Sequence, residues 1–213
     1  MFDEVKELAE AYMKRDPAAT GKMEVVLLYP GIRAVRSHRY AHFWWTHGFR
    51  FLGRWLSQRA RRKTGIEIHP GAKIGRRLVI DHGEGVVIGE TAEVGDDVLI
   101  YQGVTLGGTG KDTGKRHPTV GNNVLIGSGA KVLGPLIIGD NSRVAAGAVV
   151  LRDVPPNATA VGVPARIARI DGKKTDYASE VDQVTVTDPV YAELVSLRNR
   201  VDELTDILSR LEK

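Results

Sequence analysis

The stretch Val120-Gly121-Asn122-Asn123-Val124-Leu125-Ile126-Gly127-Ser128-Gly129-Ala130-Lys131-Val132-Leu133-Gly134-Pro135-Leu136-Ile137-Ile138-Gly139-Asp140-Asn141-Ser142-Arg143-Val144-Ala145-Ala146-Gly147-Ala148-Val149-Val150 has an aliphatic residue at every sixth place, from Val120 and Ile126 to Val144 and Val150. Upstream, Ile88, Val94, Ile100 and Leu106 keep the same step, separated from Val120 by an eight-residue excess. A first run, Ile68, Ile74 and Ile80, is offset from the second by a two-residue insertion. Glycine follows the aliphatic place at Gly75, Gly89, Gly95, Gly107, Gly121, Gly127 and Gly139, and a small or aliphatic residue recurs four places on; Glu84 breaks that second pattern. A period of six is neither that of a helix nor that of a lone alternating strand. It fits a parallel β-helix, in which each hexapeptide makes one short strand and one corner and the aliphatic side chains stack inward. The pattern does not contain the hand of the coil.

The flanks have other periods. Residues 1–64 read as a helical domain: Val5, Leu8, Ala9 and Tyr12 share one helix face, Asp16-Pro17 reads as an N-cap with proline at the first helical place, and Pro30-Gly31 interrupts. Trp44, Trp45 and Trp55 then read as a helical stripe packed against the β-helix. The β-helix domain spans 65–170, a polar linker covers 171–187, and residues 188–213 read as a coiled-coil-like helix. Its seam of Val190, Leu194, Leu197, Val201, Leu204, Leu208 and Leu211 alternates steps of four and three. The fold class expected is therefore α+β.

Composition narrows the classes. Of 213 residues 42% are hydrophobic and 26% charged, which suits a packed chain and excludes a collagen-like or wholly disordered one. With no cysteine, disulfides, thiolate metal sites and a cysteine nucleophile are excluded. No apolar run has the ~18–20 residues of a membrane helix, and the acidic start Met1-Phe2-Asp3-Glu4 is unlike a secretory signal, so a soluble cytoplasmic protein is expected. The net charge of +4 is unevenly placed: from Val25 to Lys63 nine basic residues occur and no acidic one. Neither a nucleic-acid nor a membrane partner is expected; the charge is read as helix surface that steers anionic substrates.

The departures from the hexapeptides carry the chemistry. They are Ile66-Glu67-Ile68-His69-Pro70-Gly71-Ala72, Ile80-Asp81-His82-Gly83, Gly107-Gly108-Thr109-Gly110-Lys111, Lys115-Arg116-His117-Pro118 and the closing Gly162-Val163-Pro164-Ala165-Arg166. Over roughly residues 12–170 this set resembles the serine O-acetyltransferases, left-handed β-helix enzymes of the hexapeptide acyltransferase superfamily. The resemblance implies acetyl transfer from acetyl-CoA to the hydroxyl of L-serine, the first step of cysteine biosynthesis. It implies His82 as general base paired with Glu67, and Asp16, Asp81, Arg116 and His117 as the amino-acid site. It further implies Gly108, Thr109, Ser128, Arg143 and Ala146 along the CoA groove, active sites between adjacent subunits of a homotrimer, cysteine as feedback inhibitor and no metal. Glu67 stands where the better-known long members have aspartate, and Arg143 where they have lysine.

The residue types suit that chemistry on their own terms. A serine hydroxyl is a weak nucleophile, and a neutral imidazole is a suitable base near pH 7. A carboxylate behind the imidazole fixes its tautomer and stabilises the imidazolium that forms. Zwitterionic serine needs an acid for its ammonium, which Asp16 or Asp81 supplies, and a fork for its carboxylate, which Arg116 supplies.

Beside a non-catalytic scaffold or regulatory β-helix, two rival readings remain at this stage. One is a β-helix acyltransferase acting on homoserine, a sugar or an antibiotic. The other is a zinc γ-type carbonic anhydrase using His69, His82 and His117, against which stands the lack of a histidine pair five residues apart in the repeat. Only about 64 residues precede the repeat, fewer than in the long members whose helical domain pairs trimers, so a trimer is favoured over a hexamer. Family tails often end in isoleucine, which enters O-acetylserine sulfhydrylase. The ending Leu211-Glu212-Lys213 speaks against that complex and for a helical trimer extension.

Overall fold

The structure, a computed structural model, describes residues 2–110, 113–175, 193, 195–201 and 204. Four helices come first: α1 (Phe2–Arg15), α2 (Lys22–Leu28), α3 (Pro30–Thr46) and α4 (Arg50–Thr64). The repeat then supplies β1 (Glu67–Ile68), β2 (Lys73–Ile74), β3 (Val79–Asp81), β4 (Val87–Ile88), β5 (Glu93–Val94), β6 (Leu99–Tyr101) and β7 (Thr105–Gly107). After the excursion come β8 (Thr119–Val120), β9 (Leu125–Ile126), β10 (Lys131–Leu133), β11 (Ile137–Ile138), β12 (Arg143–Val144) and β13 (Val149–Val150). The solenoid closes with β14 (Ala158–Val161), β15 (Arg166–Ile170) and β16 (Lys173–Lys174).

The strands sort into three faces of a triangular prism. The first is β1-β4-β7-β10-β13, the second β2-β5-β8-β11, and the third β3-β6-β9-β12-β14, all parallel. Strands β15 and β16 then add antiparallel to the third face and end the repeat. The in-register aliphatic residues fill the axis: Ile80, Ile88, Ile100, Leu106, Ile126 and Ile138 are all at most 1% exposed. Such short strands have little pairing of their own, and their stability is that of a stack in which each coil covers its neighbour. Side chains stitch the corners as well: Asp140 Oδ1 accepts from Asn122 N at 2.6 Å, and Asn122 Oδ1 accepts from Asp96 N at 2.8 Å. The helices followed by a left-handed parallel β-helix, as anticipated, describe this architecture.

The helical segment covers the open first coil. Leu8, Ala9 and Tyr12 bury the expected face of α1, and the Tyr12 hydroxyl both donates to Ile80 O and accepts from Ile80 N, each at 3.0 Å. The edge of β3 is thereby capped by one phenol. Arg39 of α3 does the same further round, donating to Ile74 O at 2.5 Å and Gly75 O at 2.6 Å.

Two expectations for this segment need correction. Asp16-Pro17 does not open a helix: α2 begins at Lys22, after Gly21 in extended conformation (φ −172°, ψ 153°). The Asp16 carboxylate instead closes a turn on Ala18 N at 2.8 Å and takes a second bond from Tyr29, while Thr20 and Glu24 bond to each other. Of the three tryptophans only Trp45 stacks edge-on against a β-helix ring, that of His69 at 5.0 Å. Trp44 packs on Phe43 and Phe49, and Trp55 is 47% exposed beneath Arg59, because its face of α4 points away from the solenoid.

Toward the C-terminus, residues 173–174 of the expected linker form β16, and residues 193, 195–201 and 204 are helical. The seam positions Leu197, Val201 and Leu204 are 55–59% exposed on the single chain. Residues 176–192 and Leu194, Leu208 and Leu211 lie outside the described residues.

Candidate active site

His82 follows directly on β3, at the corner where the third face turns into the first, with φ of +57°. Backbone in that region is uncommon for a β-carbon residue and occurs where surroundings over-determine it. The result is an imidazole 78% exposed, projecting from the edge, with Nε2 4.0 Å from Asp81 Oδ1. Asp16 reaches the same corner from the turn after α1. Its carboxyl is held below the ordinary range by the hydrogen bond from Tyr29, then by Ala18 N, with His82 contributing in the same sense. Tyr29 Oη donates to Asp16 Oδ2 at 2.6 Å and its phenol is pushed up to about 12, first by that bond. Asp16, Tyr29, Asp81 and His82 therefore form one electrostatically connected group.

Glu67 lies at the start of β1 and lines, with His82 and Glu84, an open cleft of about 650 Å³ whose other wall is Arg61, Arg62 and Lys63. Its carboxylate is engaged by α4: Arg54 Nη2 and Gln58 Nε2 both stand 3.2 Å from Oε1, and Arg61 Nε 3.3 Å from Oε2.

Arg116 and His117 are elsewhere. They sit over Gly89 and Thr91, at the corner where the first face turns into the second. Thr91 organises them: its Oγ1 accepts from Arg116 N and His117 N, both at 3.1 Å, and pairs with His117 Nδ1 at 2.9 Å. Thr91 N donates to the same Nδ1 at 3.2 Å. Burial first, and then Arg116, lowers the pKa of His117, which favours a neutral ring with its proton on Nε2. Gly89 leaves the room this ring occupies, since any β-carbon there would overlap it. The Arg116 guanidinium stands 3.5 Å from Glu90. A full face of the prism thus separates Arg116 and His117 from Asp16, Asp81 and His82 within one chain.

The candidate CoA residues divide in the same way. Ser128 and Ala146 are stacked at the His82 corner two and three coils on, linked by Gly147 N donating to Ser128 O at 2.8 Å. Gly108 and Thr109 sit at the Arg116 corner, where Thr109 N donates to Arg116 O at 3.2 Å. Arg143 lies on the third face, in β12, rather than on either corner. Of the three histidines in the zinc reading, His69 is held by Gly71 N and Trp45 and is pushed down to about 4, chiefly by burial. Among the described residues no three histidine or acidic groups converge on a metal position.

Sequence reasoning missed Tyr29, Thr91 and the three α4 residues. Tyr29 adjoins the Pro30 that starts α3, a position that reads only as punctuation, and the others act through contacts far apart in sequence.

The bacterial transferase hexapeptide family, six repeats long, matches residues 117–152. A serine acetyltransferase of Bacillus subtilis is 49% identical over 203 residues, covering 95% of this chain and 93% of that protein. Among solved structures, Neisseria gonorrhoeae serine acetyltransferase in complex with serine is similar at 40% identity and TM-score 0.76, covering 79% of this chain and 69% of that one. A Brucella abortus serine acetyltransferase in complex with coenzyme A is similar at 44% identity and TM-score 0.78, over 82% and 69%. A serine acetyltransferase in complex with cysteine gives 42%, 0.77, 78% and 69%. The three-faced β-helix with polar corners and the hexapeptide match define a β-helix acyltransferase. Within that class, the chain belongs to the serine acetyltransferase family, whose reaction moves the acetyl group of acetyl-CoA to L-serine in cysteine biosynthesis.

Proposed function

We propose that acetyl transfer proceeds by direct attack at a site built from two copies of the chain, the His82 corner of one facing the Arg116 corner of the next in a cytoplasmic homotrimer. The observation that carries this reading is the separation of the two halves by a full face of the prism. A zwitterionic amino acid needs both halves, so a second copy must bring the missing one. Heterologous contacts that close after three copies satisfy that requirement.

In this reading Asp16 and Asp81 hold the serine ammonium, and Arg116 with His117 of the neighbouring copy holds the carboxylate. The neutral His82 imidazole takes the hydroxyl proton as the serine oxygen attacks the thioester carbonyl, and Glu67 supports the imidazolium that forms. Collapse of the tetrahedral intermediate breaks the carbon–sulfur bond, and the imidazolium proton passes to the departing CoA sulfur. The CoA arm runs along the edge marked by Ser128 and Ala146. Cysteine, similar to serine in its ammonium and carboxylate, competes for the same pocket, a reading supported by the relative solved with cysteine.

CoA release from acetyl-CoA with L-serine, compared between the parent protein and His82→Ala, tests the base. A fall of ~10²–10⁴-fold in kcat is expected. Serine-dependent release at the parental rate in the variant would overturn the role of His82.

A further inference from the structure

Arg54, Gln58 and Arg61 stand at steps of four and three along α4, which places them on one helix face. All three reach one carboxylate, that of Glu67, and they divide its two oxygens: Arg54 and Gln58 on Oε1, each at 3.2 Å, and Arg61 on Oε2 at 3.3 Å. The helix face is itself docked, since the buried Ser57 Oγ donates to Ile68 O at 2.7 Å, one residue beyond Glu67. Donors and acceptor therefore move as one unit. The Glu67 side chain is 19% exposed, against 42% for Arg54 and 57% for Arg61, so the acid is sheltered under the bases.

An ion pair so placed contributes little to stability. Arg54 also leaves Nη1 buried without a hydrogen bond among the described residues, a cost that a pair serving stability alone would not carry. What the arrangement does supply is orientation. A carboxylate offers about four acceptor directions; α4 fills two of them with hydrogen bonds on Oε1, and Arg61 pairs with Oε2 by charge. Among the described residues Oε2 receives no hydrogen bond from α4 and is the oxygen with capacity left for the cleft that Glu67 shares with His82. Glutamate has one more rotatable bond than aspartate, and the α4 contacts remove that freedom.

We propose that Arg54, Gln58 and Arg61 are positioning residues for acetyl transfer, acting through Glu67 by fixing which carboxylate oxygen is presented to His82. The proposal rests on the reading that Glu67 serves His82. It makes the basic face of α4 a working part of the site rather than solvated surface.

A double-mutant cycle tests it, with kcat and serine KM measured by CoA release. Arg54→Ala and Arg61→Ala are expected to lower kcat about tenfold each, and together ~10²-fold, with serine KM within about threefold of the parent. In a Glu67→Ala background the same α4 changes should cause no further loss, because the group they act through is gone. Arg59→Ala, on another face of α4, should leave kcat unchanged and so control for total charge. Equal losses in both backgrounds would overturn the proposal, as would a parental kcat in the double variant where Glu67→Ala is impaired. A parental kcat in Glu67→Ala would overturn it together with the reading beneath it. If an alanine variant loses its oligomeric size, Arg54→Lys and Arg61→Lys, which keep the charge but not the fork, repeat the cycle with smaller losses of the same pattern.

Discussion

Tyr29 Oη donates a 2.6 Å hydrogen bond to Asp16 Oδ2, joining the start of α3 to the turn after α1 at the corner that carries His82. The bond is the largest cause of the lowered Asp16 pKa. In the proposed site an anionic Asp16 holds the serine ammonium, so Tyr29→Phe should act on substrate binding. Without the donor the carboxyl titrates at higher pH than in the parent. The acid-side rise in serine KM should then begin at a higher pH in the variant, while kcat at neutral pH changes little. Serine KM measured across pH 4–8 checks this; superimposable profiles would show that Tyr29 has no part in the site.

The separation of the two half-sites makes a quantitative prediction for mixed oligomers. His82→Ala and Arg116→Ala disable opposite halves of each proposed site. Refolded together in equal amounts, a site is intact only when one neighbour supplies His82 and the other Arg116. Random assembly gives one half times one half, about a quarter of sites restored, from two variants that are separately inactive. Activity of the mixture measured against each variant alone decides the matter. A mixture no more active than its components would mean that both halves act within one chain.

How much of this was legible in the sequence depended on whether the signal was periodic. The hexapeptide step places Ile80, Ile88, Ile100 and Leu106 on the axis, because stacking demands one residue type at one place per coil. Asp81-His82 and Arg116-His117 were visible as interruptions of that step. The error at Asp16-Pro17 came from the opposite case: a local capping rule was correct in chemistry but lost to Gly21 and to the distant Tyr29 hydroxyl. The α4 contacts to Glu67 had no sequence signal, since Arg54, Gln58 and Arg61 look like any basic helix face until β1 is laid beneath them.

Thr91 Oγ1 holds the Arg116 and His117 backbone amides and the His117 ring together. Thr91→Val keeps the shape but leaves those donors without their acceptor, an expected cost of about 1–3 kcal/mol where the groups are buried. Because Arg116 and His117 hold the serine carboxylate in the proposed site, the loss should appear as a rise of roughly tenfold in serine KM. KM for acetyl-CoA should stay near the parent value. Steady-state kinetics with each substrate varied in turn checks the split; equal rises in both would assign Thr91 to folding alone.

Gly31 offers the sharpest test of how the helical segment supports the site. It lies in the first turn of α3, where glycine is still a poorer helix former than alanine, so Gly31→Ala would on propensity alone be mildly stabilising. Here the helix passes so close to β3 that a methyl group would overlap the Tyr12 hydroxyl and the Ile80 carbonyl. The sign should therefore reverse, with a destabilisation of about 1–3 kcal/mol from overpacking. Displacing Tyr12 also uncaps β3, whose last residue is Asp81 and whose next is His82. Turnover should fall along with stability, whereas Gly21→Ala, with nothing within 4 Å of its new methyl, should alter neither by much. Urea melts and CoA-release rates for the two variants, taken side by side, check this. A Gly31→Ala protein more stable than its parent would mean that α3 is free to lift from the β-helix edge.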